Sequence, residues 1–383
     1  MAPHSFALTM PSDIRFGAGR RAEAVDVTAR IAGGGTVLLV TGSSDRHAGP
    51  LRQGLEDAGV TVVTARAVGE PTVEAITDVV RTARGARARV VLGVGGGSVL
   101  DTAKAAAALV DNGDPLDHLE VVGKGRALQN PVLPWIAVPT TAGTGSEVTR
   151  NAVLTAGRVK VSLRSPHLLA RVAIVDPDLL QGLPRTPLVH GALDALVQLV
   201  EPLISCRANP VTDALARQGL AASLKALPGA DTTQAETREN LALASLLGGI
   251  CLANSGLGAV HGLAGVAGGM LGAPHGALCA AFLPAVLEAD LKALRRDPNP
   301  QAQQRLDALG PLVTGDPTAT ATEAIQALTT LTRTLRIPRL ADLGLTDGHV
   351  DELVQGALAA SSTQANPLPL TETEMRDAVL ASR

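Results

Sequence analysis

Two segments of this sequence carry the residue types that bind phosphate. Gly93-Val94-Gly95-Gly96-Gly97-Ser98 follows a β-rich run and opens a helical pattern at Val99. Glycines there let the backbone approach a phosphate, and the first N–H groups of the helix point at it with the positive end of the dipole. A plain tight turn between strand and helix would use glycines too, so the order strand, glycines, helix is what favours a ligand site. The second segment, residues 139–149 (PTTAGTGSEVT), follows the apolar run 135–138 and places four hydroxyls and two glycines in the seven residues after Pro139. These small polar groups suit phosphate and ribose at the C-terminal end of a buried strand, where doubly wound folds bind ligands.

The elements that must hold these loops are legible in the apolar pattern. Residues 36–41, 60–63, 89–94, 135–138 and 171–175 are continuous rather than alternating apolar runs, as expected of strands buried on both faces. Helical patterns at 74–84 and 99–110 lie between them, which predicts a parallel sheet with helices on both faces. Beyond Pro187 the pattern is helical only, with Ala- and Leu-rich periods at 191–204, 210–227, 239–251 and 318–335. The expectation is an α/β domain over 1–183 and an all-helical domain over 184–383.

Composition excludes several classes. Of 383 residues, 33 are Lys or Arg against 36 Asp or Glu, which leaves no electrostatic footprint for nucleic acid or an anionic membrane. Three Phe, one Trp and no Tyr make a base-stacking surface untenable. Three cysteines, Cys206, Cys251 and Cys279, argue against a disulfide scaffold and fit a reducing cytoplasm. The N-terminus has scattered charges and no long apolar core, so it does not read as a signal peptide. Residues 240–287 hold no Asp, Glu, Lys or Arg, but His261, Pro274, His275 and many glycines interrupt them, and a buried helical core is the expectation.

Residues 93–107 (GVGGGSVLDTAKAAA) and 134–154 (PWIAVPTTAGTGSEVTRNAVL) closely resemble the iron-containing, or group III metal-dependent, alcohol dehydrogenases. The likeness continues through 165–180, 207–215, 256–265, 273–284 and 362–371, in the family's order and over nearly the whole chain. The resemblance implies a dehydroquinate-synthase-like fold: a Rossmann-like dinucleotide-binding α/β domain followed by an all-α metal-binding domain. It also implies hydride transfer between a nicotinamide and a small alcohol or its aldehyde. Carried over by position, Gly96, Gly97, Ser98 and Asp101 match the pyrophosphate loop, and Thr140, Thr141, Thr144 and Ser146 match the second loop. Val153, Lys160 and Leu179 match positions lining the nicotinamide and its ribose. NAD-preferring relatives often carry Asp after the strand matching 37–41. Here Gly42 removes that charge and Ser43 or Ser44 can donate to a 2′-phosphate, so NADP is favoured over NAD, with Asp45 nearby as the residue that would undo this.

By the same resemblance, the metal ligands fall on Asp194, Gln198, His261 and His275. Gln198 replaces an expected imidazole four residues after Asp194 on one helix face. Asp194, His261 and His275 still form a two-histidine, one-carboxylate set for Fe(II) or, alternatively, Zn(II), with Gln198 either a weak oxygen ligand or a hydrogen-bonding neighbour. Gly265 stands where many relatives carry a proton-relaying His, so the proton donor is left open. Arg150, Asn151, Asn254 and Ser362 match substrate positions. All are polar, which suggests a small polar or anionic aldehyde with Arg150 on the anionic group, or else an Arg150 merely at the surface. His4, His47, His118, His167, His190 and His349 carry no motif, and packing is the expected role of Cys279. The expectation is a cytoplasmic, homodimeric oxidoreductase for a small alcohol or aldehyde, with no nucleic-acid or membrane partner. A maleylacetate-reductase-like enzyme and a degenerate nucleotide binder without catalysis are the alternatives. A dehydroquinate-synthase-type lyase would want a more basic site.

Overall fold

The computed structural model describes residues 5–157 and 159–383; His4 lies outside them. The chain divides into two compact units, one spanning Thr9–Leu183 and the other Pro184–Arg383, with which residues 5–8 also group.

Among the described residues the first unit has eight strands: β1 (Ile14–Phe16), β2 (Thr36–Thr41), β3 (Val62–Arg66), β4 (Ala88–Gly95), β5 (Trp135–Pro139), β6 (Asn151–Ala156), β7 (Val159–Arg164) and β8 (Val172–Val175). Six of them form one parallel sheet in the order β1-β8-β5-β4-β2-β3, while β6 and β7 pair as an antiparallel hairpin. Its helices are α1 (Glu23–Ala32), α2 (Ala48–Asp57), α3 (Val73–Gly85), α4 (Gly97–Leu109) and the single turn α5 (Pro115–His118). Alternate strand residues serve opposite faces. Leu38, Val40, Val91 and Ala137 pack with α3, α4 and the hairpin, whereas Val37, Leu39, Val90, Leu92 and Ile136 pack with α1 and α2. Both faces are apolar because both are covered, which is why the runs read as continuous.

Two differences from the expected strands have local causes. The run at 60–63 begins pairing only at Val62, because Val60 closes a Schellman turn at the end of α2. There Gly59 is left-handed at φ 76°, its N–H bonds Glu56, and Val60 N–H bonds Leu55. The β6–β7 hairpin and the short β1 were not expected. The hairpin buries only Ala152, Leu154, Val161 and Leu163, an alternation of period two rather than a continuous run.

The second unit is helical: α6 (Arg185–Ile204), α7 (Pro210–Ala226), α8 (Ala235–Ser255), α9 (Ala259–Leu271) and α10 (His275–Arg296) lead. Then come α11 (Pro300–Asp307), α12 (Leu309–Thr314), α13 (Ala321–Thr334), α14 (Asp347–Ala359) and α15 (Glu372–Ala381). Every residue of α6 from Ala192 to Ile204 is buried, as an all-round apolar helix requires. Among the described residues α6 is the single helix long and apolar enough to cross a membrane, and most of it lies inside the protein. The uncharged stretch 240–287 is divided among α8, α9 and α10, with a 104° bend between α8 and α9.

Candidate functional site

In the first unit, β4 runs into α4 through Gly96, which caps the helix and offers no side chain to its first N–H groups. Gly96, Gly97 and Ser98 are partly exposed, so these donors and the positive end of the dipole face outward, the arrangement that takes an anion. The second loop lies against them: a Cβ at Gly97 would come within 2.8 Å of Thr144. Beneath, Lys104 is fully buried and donates to four oxygens: Ser146 O (2.6 Å), Asn151 O (2.9 Å), Thr149 Oγ1 (3.0 Å) and Thr149 O (3.3 Å). One ammonium thus ties α4, the second loop and the start of β6. Asp101 completes the tie by accepting from Ser146 Oγ (2.6 Å) and Val153 N (3.0 Å). Glu147 is buried beside them, and desolvation pushes its carboxyl up to about 7 against the pull of its own N–H and of Lys104.

Of the expected cofactor positions, Gly96, Gly97, Ser98, Thr140, Thr141 and Thr144 line these two loops, all at least partly exposed. Asp101 and Ser146 face each other and tie α4 to the second loop. Val153 is pinned on β6, Lys160 on β7 pairs with Glu70 at 3.0 Å, and Leu179 is buried in the α1–α2 side of the core. At the end of β2, the Gly42 carbonyl accepts from Arg66 (2.8 Å), a residue the sequence reading did not single out. Arg66 also pairs with Asp45 at 2.8 Å, and Arg52 reaches Asp45 at 3.6 Å.

In the second unit, α6 presents Asp194, Gln198 and Glu201 at spacings of four and three, on one face. His261 stands in the first turn of α9 and His275 opens α10. Gly276 makes this approach feasible, since a Cβ there would lie 1.8 Å from the His190 carbonyl oxygen of α6. Asp194 Oδ1 lies 3.3 Å from His261 Nε2 and 3.7 Å from His275 Nε2. Cys279, one turn into α10, brings Sγ to 3.6 Å from His275 Nε2 and 3.9 Å from Asp194 Oδ1. The four ligand atoms all lie within 4.8 Å of one another. Asp194 and His261 are buried, but the His275 side chain is 37% exposed and forms the open side of the cluster.

Glu201 was not anticipated. It accepts from His261 Nδ1 (2.6 Å) and, through its other oxygen, from Val260 N (2.7 Å) and His261 N (3.3 Å). Asn366 accepts from Ala259 N (3.0 Å) and donates to Asp290 (2.6 Å). These two side chains cap α9 in place of Gly258, which has none to offer, and so fix where His261 sits. Burial opposes a charged imidazolium, but the Cys279 sulfur, then Glu201 and Asp194, hold His261 well above its ordinary pKa. Burial likewise works against the Asp194 carboxylate, while His275, His261 and Gln198 bring it below its ordinary range. The buried Gln198 Oε1 is without a hydrogen-bond partner among the described residues. Among the substrate positions, Arg150 is exposed at the entry to β6, and Asn151 follows it with its carbonyl on Lys104. Asn254 bonds Ile250 O near the end of α8, and Ser362 precedes the turn that carries Asn366. At Gly265 an added Cβ would meet nothing within 4 Å.

Comparison with known proteins gives a consistent result across both units. The sequence model of the family described as iron-containing alcohol dehydrogenase matches residues 11–177, and that of the family's C-terminal part matches 188–382. Alcohol dehydrogenase 4 of Schizosaccharomyces pombe is 33% identical over 97% of this chain and 87% of its own length. A solved 1,3-propanediol oxidoreductase superimposes with a TM-score of 0.90 at 30% identity, over 99% of this chain and 100% of that one. A sulfoacetaldehyde reductase from Bifidobacterium kashiwanohense, solved with NAD+, gives 0.85 at 26% identity over 98% of each chain.

Proposed function

We propose, from the premise that this chain belongs to the iron-containing alcohol dehydrogenase family, that it reduces a small polar or anionic aldehyde to its primary alcohol, or runs the reverse reaction. We take NADPH over NADH as its hydride donor. The family makes it an alcohol or aldehyde oxidoreductase with a nicotinamide and a metal; the substrate class, the choice of dinucleotide and the metal's role are our reading. The convergence of Asp194, His261 and His275 on one point carries it.

The donor chemistry fits a divalent ion: one carboxylate and two imidazoles, with an orphaned amide oxygen on the neighbouring turn. When bound, such an ion supplies a Lewis acid for the carbonyl oxygen and the reduced nicotinamide supplies hydride. The chain's own part is positioning. Glu201 accepts from His261 Nδ1, which reserves Nε2, the nitrogen facing Asp194, as the atom that would bind an ion once its own proton is displaced. Lys104 and Asp101 hold the two phosphate loops in register, so that the α4 N-terminus stays open to a pyrophosphate.

Arg66 supports NADP. Its guanidinium binds the Gly42 carbonyl and neutralises Asp45, which removes the objection that Asp45 would repel a 2′-phosphate. Arg150, exposed beside the second loop, supports an anionic or polar substrate. The names of two relatives, a 1,3-propanediol oxidoreductase and a sulfoacetaldehyde reductase, concern small polar molecules as well. The test is metal content together with NADPH and NADH oxidation against small neutral, polar and anionic aldehydes. Metal-dependent NADPH oxidation with the polar members is expected; faster turnover with NADH, or with long apolar aldehydes, would overturn the corresponding part of the reading.

A further inference from the structure

We propose that Cys279 is the fourth metal ligand of this chain, filling the vacancy left where Gln198 replaces an imidazole. The inference rests on reading Asp194, His261 and His275 as ligands and adds the thiol to them.

Spacing is the first argument. Metal–nitrogen and metal–oxygen bonds near 2.0–2.1 Å and a metal–sulfur bond near 2.3 Å set tetrahedral N···O pairs about 3.3 Å apart and pairs with sulfur about 3.6 Å apart. The separations here are 3.3 and 3.7 Å from Asp194 Oδ1 to the two imidazoles. Cys279 Sγ stands 3.6 and 3.9 Å from His275 Nε2 and Asp194 Oδ1. These separations are close to tetrahedral edges, and the other pairs of ligand atoms lie within 4.8 Å.

The second argument concerns the rival donor. Gln198 offers a neutral amide oxygen, buried without a hydrogen-bond partner among the described residues, and such an oxygen is a weaker donor to zinc or cobalt than a thiolate. Its oxygen lies by Gly248 of α8, where an added Cβ would stand 3.6 Å from it. The Cys279 thiol, by contrast, already stands beside two of the ligand atoms. A third argument comes from Cys251, equally buried: its thiol donates to the Thr212 carbonyl at 3.5 Å, as a packed cysteine does. Around Cys279 the polar neighbours are two imidazoles and a carboxylate, and its place one turn after His275 puts both side chains on one face of α10. A thiolate in the set favours Zn(II) and its spectroscopic substitute Co(II) over Fe(II).

The experiment titrates the full-length, metal-stripped protein with Co(II) and follows near-ultraviolet absorption. One equivalent should bind with a thiolate-to-cobalt charge-transfer band. Cys279→Ser, nearly the same size, should lose the band and weaken binding by about a hundredfold or more, beyond what loss of an outer partner costs. Gln198→Ala should keep the band. One equivalent bound without a thiolate band, or a band that survives in Cys279→Ser, overturns the proposal and leaves the three-ligand reading standing. No binding at all, or binding unchanged by His275→Ala, overturns the three-ligand reading and the proposal together.

Discussion

Each unit buries a polar cluster on the elements that form its candidate site, and the two clusters are put together in opposite ways. In the α/β unit, every strong group has its complement: Lys104 meets four oxygens, and Asp101 meets a hydroxyl and an N–H. In the helical unit, four groups that can all lend electron pairs crowd together, with the orphaned oxygen of Gln198 close by in sequence and structure. A satisfied buried network rigidifies the elements it joins, whereas a convergent set of electron-pair donors is suited to hold a cation. The difference separates side chains that hold a site from those that are the site.

His275→Ala gives that contrast its hardest test. The substitution removes one of the three family-matched ligands, so metal content should fall toward zero and turnover by orders of magnitude. NADPH affinity, read by calorimetry, should stay within about threefold, because the phosphate loops are held by their own network. Near-parent turnover would break the assignment of the metal to this cluster. Glu201→Gln comes next. It keeps the shape but exchanges a carboxylate for an amide against His261 Nδ1, and metal affinity should fall about 10–100-fold with the helical content unchanged.

The closed network makes a prediction in pH. Glu147 titrates near 7 when folded, above its ordinary value because burial penalises the carboxylate. A raised carboxyl stabilises the fold fully below its unfolded pKa, and this contribution is lost as pH rises through 7. Against Glu147→Gln, the parent should therefore lose up to about 3 kcal/mol of relative stability between pH 5 and 8 in urea melts. Parallel pH profiles for the two proteins would show that the carboxyl is not protonated on folding.

Much of this contrast is legible in the sequence, but not all of it. Strands β2, β4, β5 and β8 could be read because burial on both faces leaves an unbroken apolar run. The hairpin escaped because it is covered on one face and alternates instead, in NAVLTA and VKVSLR. Glu201 had a readable sign, a carboxylate in a largely apolar helix, seven residues after Asp194 and three after Gln198. Arg66 had none, since it meets Gly42 only through the pairing of β2 with β3, 24 residues apart. For Cys279 the sequence predicts only packing, because nothing local distinguishes a thiol beside imidazoles from one beside carbonyls. Such contacts belong to tertiary structure, and helix or strand periodicity cannot supply them.

A smaller effect concerns the dinucleotide. Gly42 has room for a side chain, its would-be Cβ meeting only Val99 at 3.8 Å. Gly42→Asp should move preference toward NADH, and Arg66→Ala should raise the KM for NADPH more than that for NADH, each by about tenfold, the scale of one charge-assisted hydrogen bond. Unchanged ratios in both variants would remove this corner from cofactor selection.

The smallest expected change is at Gly265, in the interior of α9. Apart from its own stretch of helix, nothing described lies within 4 Å of the Cβ it lacks, so the space beside it is open. Glycine within a helix costs about 0.8–1.0 kcal/mol relative to alanine, and Gly265→Ala should therefore raise stability by roughly that amount in thermal melts. Metal content should not change, because His261 is held from the far side by Glu201 and not by anything at position 265. Gly265→Leu extends the same series: it keeps a good helix former but fills the opening. If the opening accommodates substrate, the leucine variant should keep parent stability and parent turnover with the smallest aldehydes while its KM rises with aldehyde length. A uniform loss across all aldehydes would instead mean that the side chain disturbs the His261 ring, and the line drawn between the groups that hold the site and the space they enclose would have to move by one turn of α9.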